Sequence, residues 1–60
     1  MYVIRVVESD GTHTTLRFAD SEPDNAWYVW DQLTRDGEPA RSMTMHDAAG
    51  ALLGQWEGEQ

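Results

Sequence analysis

His13 and His46, with a carboxylate such as Asp47, are the residues of this 60-residue chain whose types come closest to a metal site. Their setting works against it. His13 opens one β segment and His46 closes another, and the two segments run the same way in either sheet the pattern allows, so the imidazoles belong at opposite ends. The eleven Asp and Glu residues gather in turns and at a helix start, where capping and solubility account for them without an acid–base cleft. Nucleophilic catalysis by serine or threonine finds no support, and the glycines of "GEP" and "GQWEG" do not stand between a strand and a helix N-terminus, as a phosphate loop requires. Cysteine is absent, which removes disulfides, thiol nucleophiles and zinc thiolates. The expectation is a protein without catalytic residues, metal or cofactor, not an enzyme.

The elements that would position any site are short and well marked. Residues 2–8, "YVIRVVE", alternate and are rich in β-branched side chains, and residues 12–19, "THTTLRFA", follow as a second strand. A two-residue Asp10-Gly11 turn would mix apolar and polar faces. A three-residue Ser9-Asp10-Gly11 loop with Gly11 left-handed aligns Tyr2, Ile4 and Val6 with Phe18, Leu16 and Thr14, so the pattern selects it. "DSEPDNAW" reads as a helix start, with Ser21 as N-cap, Pro23 in the first turn and Asp24 in the capping-box position. The helix is predicted over residues 22–36, with Gly37 ending it. After "GEPA", "RSMTMHD" reads as a third strand, "AAG" as a loop and "ALLGQW" as a fourth. One α+β domain over residues 1–56 is expected, with "EGEQ", residues 57–60, as a frayed acidic tail.

Strand order is argued from polarity. The first and fourth strands are the apolar pair, whereas the second and third carry Thr, Ser, His and Arg, as sheet edges do. That favours a four-stranded sheet of order 2-1-4-3; the alternative, 2-1-3-4, makes it fully antiparallel. In element order and length this ββαββ layout resembles the β-grasp domains, among them the immunoglobulin-binding domains of bacterial surface proteins, a likeness that carries no function with it. One helix covers one face of the sheet, and the expected core is Tyr2, Ile4, Val6, Leu16, Phe18, Ala26, Val29, Trp30, Leu33, Met43, Met45 and Leu53.

"NAWYVWDQL" holds three of the chain's six aromatic residues. On a helical wheel Ala26, Val29, Trp30 and Leu33 form one stripe, Trp27 lies on its flank about 100° from Ala26, and Tyr28 at about 200° points away from the sheet. Trp30 is therefore structural and Trp27 a boundary residue. Tyr28 and Trp27, rimmed by Asp24 and Asp31, have the composition of a protein-binding hot spot.

The second candidate surface is the sheet face the helix leaves open. The first hairpin places Val3, Arg5, Val7, His13, Thr15 and Arg17 there, and an even register in the second adds Ser42, Thr44, His46 and Leu52 and extends to Trp56. A small domain buries only about 60% of the surface its unfolded chain exposes, so covering such a face would add stability. Four Arg, no Lys and eleven acids give a net charge of −7, which argues against a phosphate-binding role resting on basic side chains. A basic or apolar protein partner is expected instead, with no direct nucleic-acid binding and no membrane association. The reading is a non-catalytic, acidic protein-protein interaction module, an adaptor or inhibitor, whose contact residues are Trp27, Tyr28, Asp24, Asp31, Val3, Arg5, Val7 and Arg17. One alternative is a homodimer that spends its open face on self-association. Another is an inhibitor that mimics nucleic acid through Asp20, Glu22, Asp24 and Asp31, with Glu57 and Glu59 adding charge. "MYVIRVVE" lacks the basic and continuous apolar regions of a signal peptide, and a cytoplasmic location is expected.

Overall fold

The computed structural model describes residues 1–36 and 40–58, and within them the elements follow the expected order. β1 (Tyr2–Glu8), β2 (His13–Phe18), β3 (Ala40–His46) and β4 (Leu52–Glu57) form one antiparallel sheet, and α1 (Pro23–Asp36) packs on one side of it. No helix among the described residues is long and apolar enough to cross a membrane.

The first hairpin is the one its side-chain pattern selects. Tyr2, Ile4 and Val6 stand opposite Phe18, Leu16 and Thr14. The loop closes between Glu8 and Thr12: the Glu8 amide donates to the Thr12 carbonyl at 2.8 Å and the Gly11 amide to the Glu8 carbonyl at 2.9 Å. Gly11 has φ +91°, a conformation that costs a residue with a Cβ far more than it costs glycine. The second hairpin repeats the design, with Asp47 and Ala51 closing Ala48-Ala49-Gly50 and Gly50 at φ +85°.

The order of strands is β2-β1-β3-β4, not 2-1-4-3. The physical reason lies in β3, whose polarity belongs to one face only. Met43 and Met45 point under the helix side and are 2% and 0% exposed, while Ser42, Thr44 and His46 lie on the opposite face and are themselves half-buried. β3 is therefore an interior strand, and β4, for all its leucines, is an edge. Because β1 pairs with β3 antiparallel, and not with β4, the sheet departs from the β-grasp layout that the element order resembles.

The fully buried side chains are Ile4, Ala26, Met43 and Met45. Tyr2, Val6, Leu16, Phe18, Val29, Trp30 and Leu33 pack against them, in keeping with the predicted stripe and hairpin faces. Leu53 departs from the expected core and is exposed. It is the extra residue of a β-bulge, since Met45 pairs with Gly54 but His46 with Leu52. The bulge also reverses the parity of β4, so Leu52 lies on the open face while Gly54 and Trp56 turn toward the helix side. Trp56, opposite Met43, is thus not an open-face residue.

α1 lies over β1 and β2, and indole rings extend its cover to the far edge. A Cβ on Gly54 would meet Cζ2 of Trp30 at 2.9 Å, and one on Gly58 would meet the Trp56 ring at 2.9 Å and the Ala40 carbonyl oxygen at 3.1 Å. At its start the helix uses Glu22, not Ser21, as the flanking residue: the Glu22 carbonyl accepts from the Ala26 amide at 3.3 Å, and Pro23, which has no amide hydrogen to satisfy, takes the first helical position. Gly37 as helix stop lies outside the described residues. At the other end of the chain, β4 includes Glu57, and the Gly58 amide donates to the Arg41 carbonyl at 2.8 Å, so pairing continues into the segment that reads as tail.

Two consequences can be measured. Gly54→Ala drives a methyl group into the Trp30 ring and should lower unfolding free energy by about 1–3 kcal/mol in denaturant titrations; combined with Trp30→Leu it should cost less than the sum of the single changes. Asp10 accepts the Thr12 amide at 2.9 Å, and this bond holds its carboxyl below the usual aspartate range. A depressed folded value means that its stabilisation is present above the unfolded value and is lost as pH falls through the folded one. Asp10→Asn should therefore flatten part of the loss in melting temperature between about pH 5 and 2.

Candidate functional site: the open sheet face

The cross-strand registers divide the open face into three rows. Arg17, Val3, His46 and Leu52 form the first, Thr15, Arg5, Thr44 and Gln55 the second, and His13, Val7, Ser42 and Glu57 the third. Val3, Val7, Ser42, Thr44 and His46 are half-buried by their neighbours, whereas Arg5, Arg17, His13, Thr15, Leu52, Gln55 and Glu57 are exposed. The face is mixed and carries no Phe, Trp or Tyr among the described residues.

Charge is sorted between the two sides of the molecule. The strands place Arg5, Arg17, His13 and His46 on the open face with Glu57 at one corner, and Asp47 follows His46 at the opposite end. Asp20, Glu22, Asp24, Asp31 and Asp36 lie on α1 or the approach to it, where Arg35 bonds Asp31 one turn away at 2.8 Å. Arg41, the bulge residue between the Val7 and Glu8 pairings, donates to the Ser9 carbonyl at 3.3 Å. Among the described residues neither Arg5 nor Arg17 has an ion pair or a side-chain hydrogen bond, although acids outnumber arginines eleven to four.

The predicted contact residues thus fall into two groups on opposite sides. Val3, Arg5, Val7 and Arg17 share the open face. Trp27 and Tyr28 are 43% and 65% exposed on the helix, as the wheel requires, with Asp24 and Asp31 also exposed; Asp31 is already engaged by Arg35. The acids of the nucleic-acid-mimic reading do not form one free edge. Asp20 pairs with the N-terminal ammonium, Asp31 with Arg35, Glu57 lies on the other side of the molecule, and Glu59 is outside the described residues.

His13 stands opposite Val7 and His46 opposite Val3, four residues apart along β1 and so about 13 Å. No group of three or more His, Asp or Glu among the described residues is close enough to hold a metal ion. His46 has a different distinction: its Nδ1 is buried without a hydrogen-bond partner. The sequence reading placed His46 on this face but gave it no contact role, because its partnership with Val3 exists only when β1 and β3 are neighbours.

No family model, curated protein or solved structure matches the chain. Its surfaces are therefore weighed on chemistry alone. Tyr28→Ala removes an exposed ring and should change unfolding free energy by no more than about 0.5 kcal/mol in denaturant titrations; a larger loss would mean that Tyr28 belongs to the core.

Proposed function

We propose that the protein is a non-catalytic interaction module, an adaptor or inhibitor, and that the open sheet face, with Val3, Arg5, Val7 and Arg17, receives a protein partner. One observation carries this reading. In a chain of net charge −7, the two arginines of this face have no acidic partner among the described residues, while the helix side gathers the acids. Unpaired guanidinium groups beside half-buried valines suit a partner that brings both carboxylates and apolar side chains.

The same charges weigh against the homodimer reading on this face. A two-fold contact sets this patch against its own copy, on which the strands supply only Glu57 as an acid for Arg5 and Arg17, and unpaired charges buried at an interface are costly. Single-stranded nucleic acid is also poorly suited, because base stacking needs aromatic side chains and Tyr2, Phe18 and Trp56 all face the helix side.

The test is an array of synthetic peptides graded in net charge and apolar content, probed with the protein and with Arg5→Glu/Arg17→Glu. Binding should concentrate in acidic peptides with alternating apolar residues and fall at least tenfold in the variant. Light scattering across a hundredfold concentration range should report 6.8 kDa throughout. Acidic peptides that bind the variant equally well would remove the sheet face from the reading, and a dimer dispersed by Val3→Asp would transfer that face to self-association.

A further inference from the structure

The backbone of β2 is only half used. In the first hairpin the Glu8 amide donates to the Thr12 carbonyl, which makes Glu8 and Thr12 a hydrogen-bonded pair, and such pairs alternate along an antiparallel ladder. Counted from there, Thr14, Leu16 and Phe18 turn their amide and carbonyl groups toward Val6, Ile4 and Tyr2, while His13, Thr15 and Arg17 direct theirs away from β1. β2 is an outer strand, and no described residue hydrogen-bonds to those outward groups.

The other outer strand is a poorer template. β4 is interrupted by its bulge at Leu53, followed by Gly54, and ends in Glu57, whereas the register of β2 on β1 is unbroken and β2 contains no proline. Side chains at the β2 edge also alternate in kind. His13, Thr15 and Arg17 stand on the open face, with Arg5 one strand further in, opposite Thr15; Thr14, Leu16 and Phe18 stand on the helix side, where Leu16 and Phe18 are half-buried and pack against the core. A strand laid on this edge sets its own residues opposite these, each pair on one face and about 5 Å apart. A carboxylate is favoured opposite Arg17, which has no ion pair among the described residues, and an apolar side chain beside Leu16 and Phe18. A second copy of β2 does not meet that demand, because the strand contains no acid to set against Arg17.

We infer that, on the reading that the open face receives a protein, the partner enters as an extended segment of alternating acidic and apolar residues that pairs antiparallel with β2 as a fifth strand. Its acidic residues exchange backbone hydrogen bonds with His13, Thr15 and Arg17 and lie over the open face beside the Arg17 guanidinium. Its apolar residues extend the row of Leu16 and Phe18. Antiparallel addition continues the pattern of the whole sheet and gives the more stable ladder.

Isothermal titration with acetyl-Val-Glu-Val-Glu-Val-amide and its N-methylated forms reads the backbone directly, with amide hydrogen exchange locating the contact. Methylating the first Glu nitrogen removes a donor that faces β2 and should weaken binding about tenfold, whereas methylating the central Val nitrogen, which faces away, should leave it unchanged. Binding should slow exchange at His13, Thr15 and Arg17. The Glu peptide should bind more tightly than its Gln counterpart, an advantage that Arg17→Gln removes. Thr15→Pro deletes an outward amide and no bond to β1, so it should abolish binding while thermal melts show a folded protein; if that variant does not fold, the methylated peptides still decide. Equal effects of methylation at Glu and Val, with the contact still on the open face, would overturn strand addition and leave the interaction module standing. Equal binding of the Glu and Gln peptides, or a dimer dispersed by Thr15→Pro, would overturn the acidic segment as the occupant of the edge. Protection confined to Trp27 and Tyr28 would overturn both the added strand and the open face as interface.

Discussion

A single 14-residue helix has to cover a four-stranded sheet, and most of the molecule's features follow from that shortage. Such a helix is about 21 Å long and about 10 Å across, whereas the sheet it lies on is about 14 Å between its outer strands, before side chains are counted. α1 settles over β1 and β2, and the remaining width falls to two indoles. Trp30 reaches from the helix to β4, where glycine at position 54 leaves room for the ring, and Trp56 folds over Gly58. The bulge at Leu53 serves the same end, because without it Trp56 would face the other way. Both tryptophans are only half-buried, as befits roof tiles at an edge.

The cost of that arrangement is a second sheet face with nothing over it. A face needed for folding must be apolar, but a face that only closes the hydrogen-bond ladder is free to carry other side chains. Here it carries Arg5 and Arg17 beside Val3 and Val7, a composition that contributes little to the core and much to the local potential. Sheet and helix axes stand about 10 Å apart, comparable to the Debye length of about 8 Å at physiological salt. A group on the open face therefore senses the nearby arginines more than the acids on the helix, despite the overall charge of −7.

How much of this the sequence discloses depends on whether the signal is local. The first hairpin is fully legible: alternation in residues 2–8 and 12–19 admits one register, and Gly11 supplies the left-handed residue that its loop requires. The helix stripe is equally plain, with Trp30 in and Tyr28 out. Strand order is not, because averaging polarity over β3 hides the fact that its methionines and its polar residues face opposite ways. The β4 register is not either, since a one-residue bulge leaves no mark that distinguishes Leu53 from Leu52. Both misreadings obscure the same part of the open face. Pairing β1 with β4 removes His46 from Val3, and an unbroken β4 sends Trp56 to the wrong side.

The corrected order also redistributes the exposed edges. β3, rich in hydrogen-bonding side chains, is protected between β1 and β4, and the free backbone belongs to β2 and β4. β4 is blunted as an edge by its bulge, by Gly54 and by the charge of Glu57, each of which disfavours a further strand. β2 has no bulge in its pairing with β1, contains neither proline nor lysine, and borders the side of the face where Arg17 and His13 stand. The open backbone edge and the unpaired positive charge thus lie on the same flank of the sheet. An extended acidic chain approaching that flank meets favourable charge before it meets the valines, which makes electrostatics the term that sets its rate of encounter and apolar contact the term that sets how long it stays.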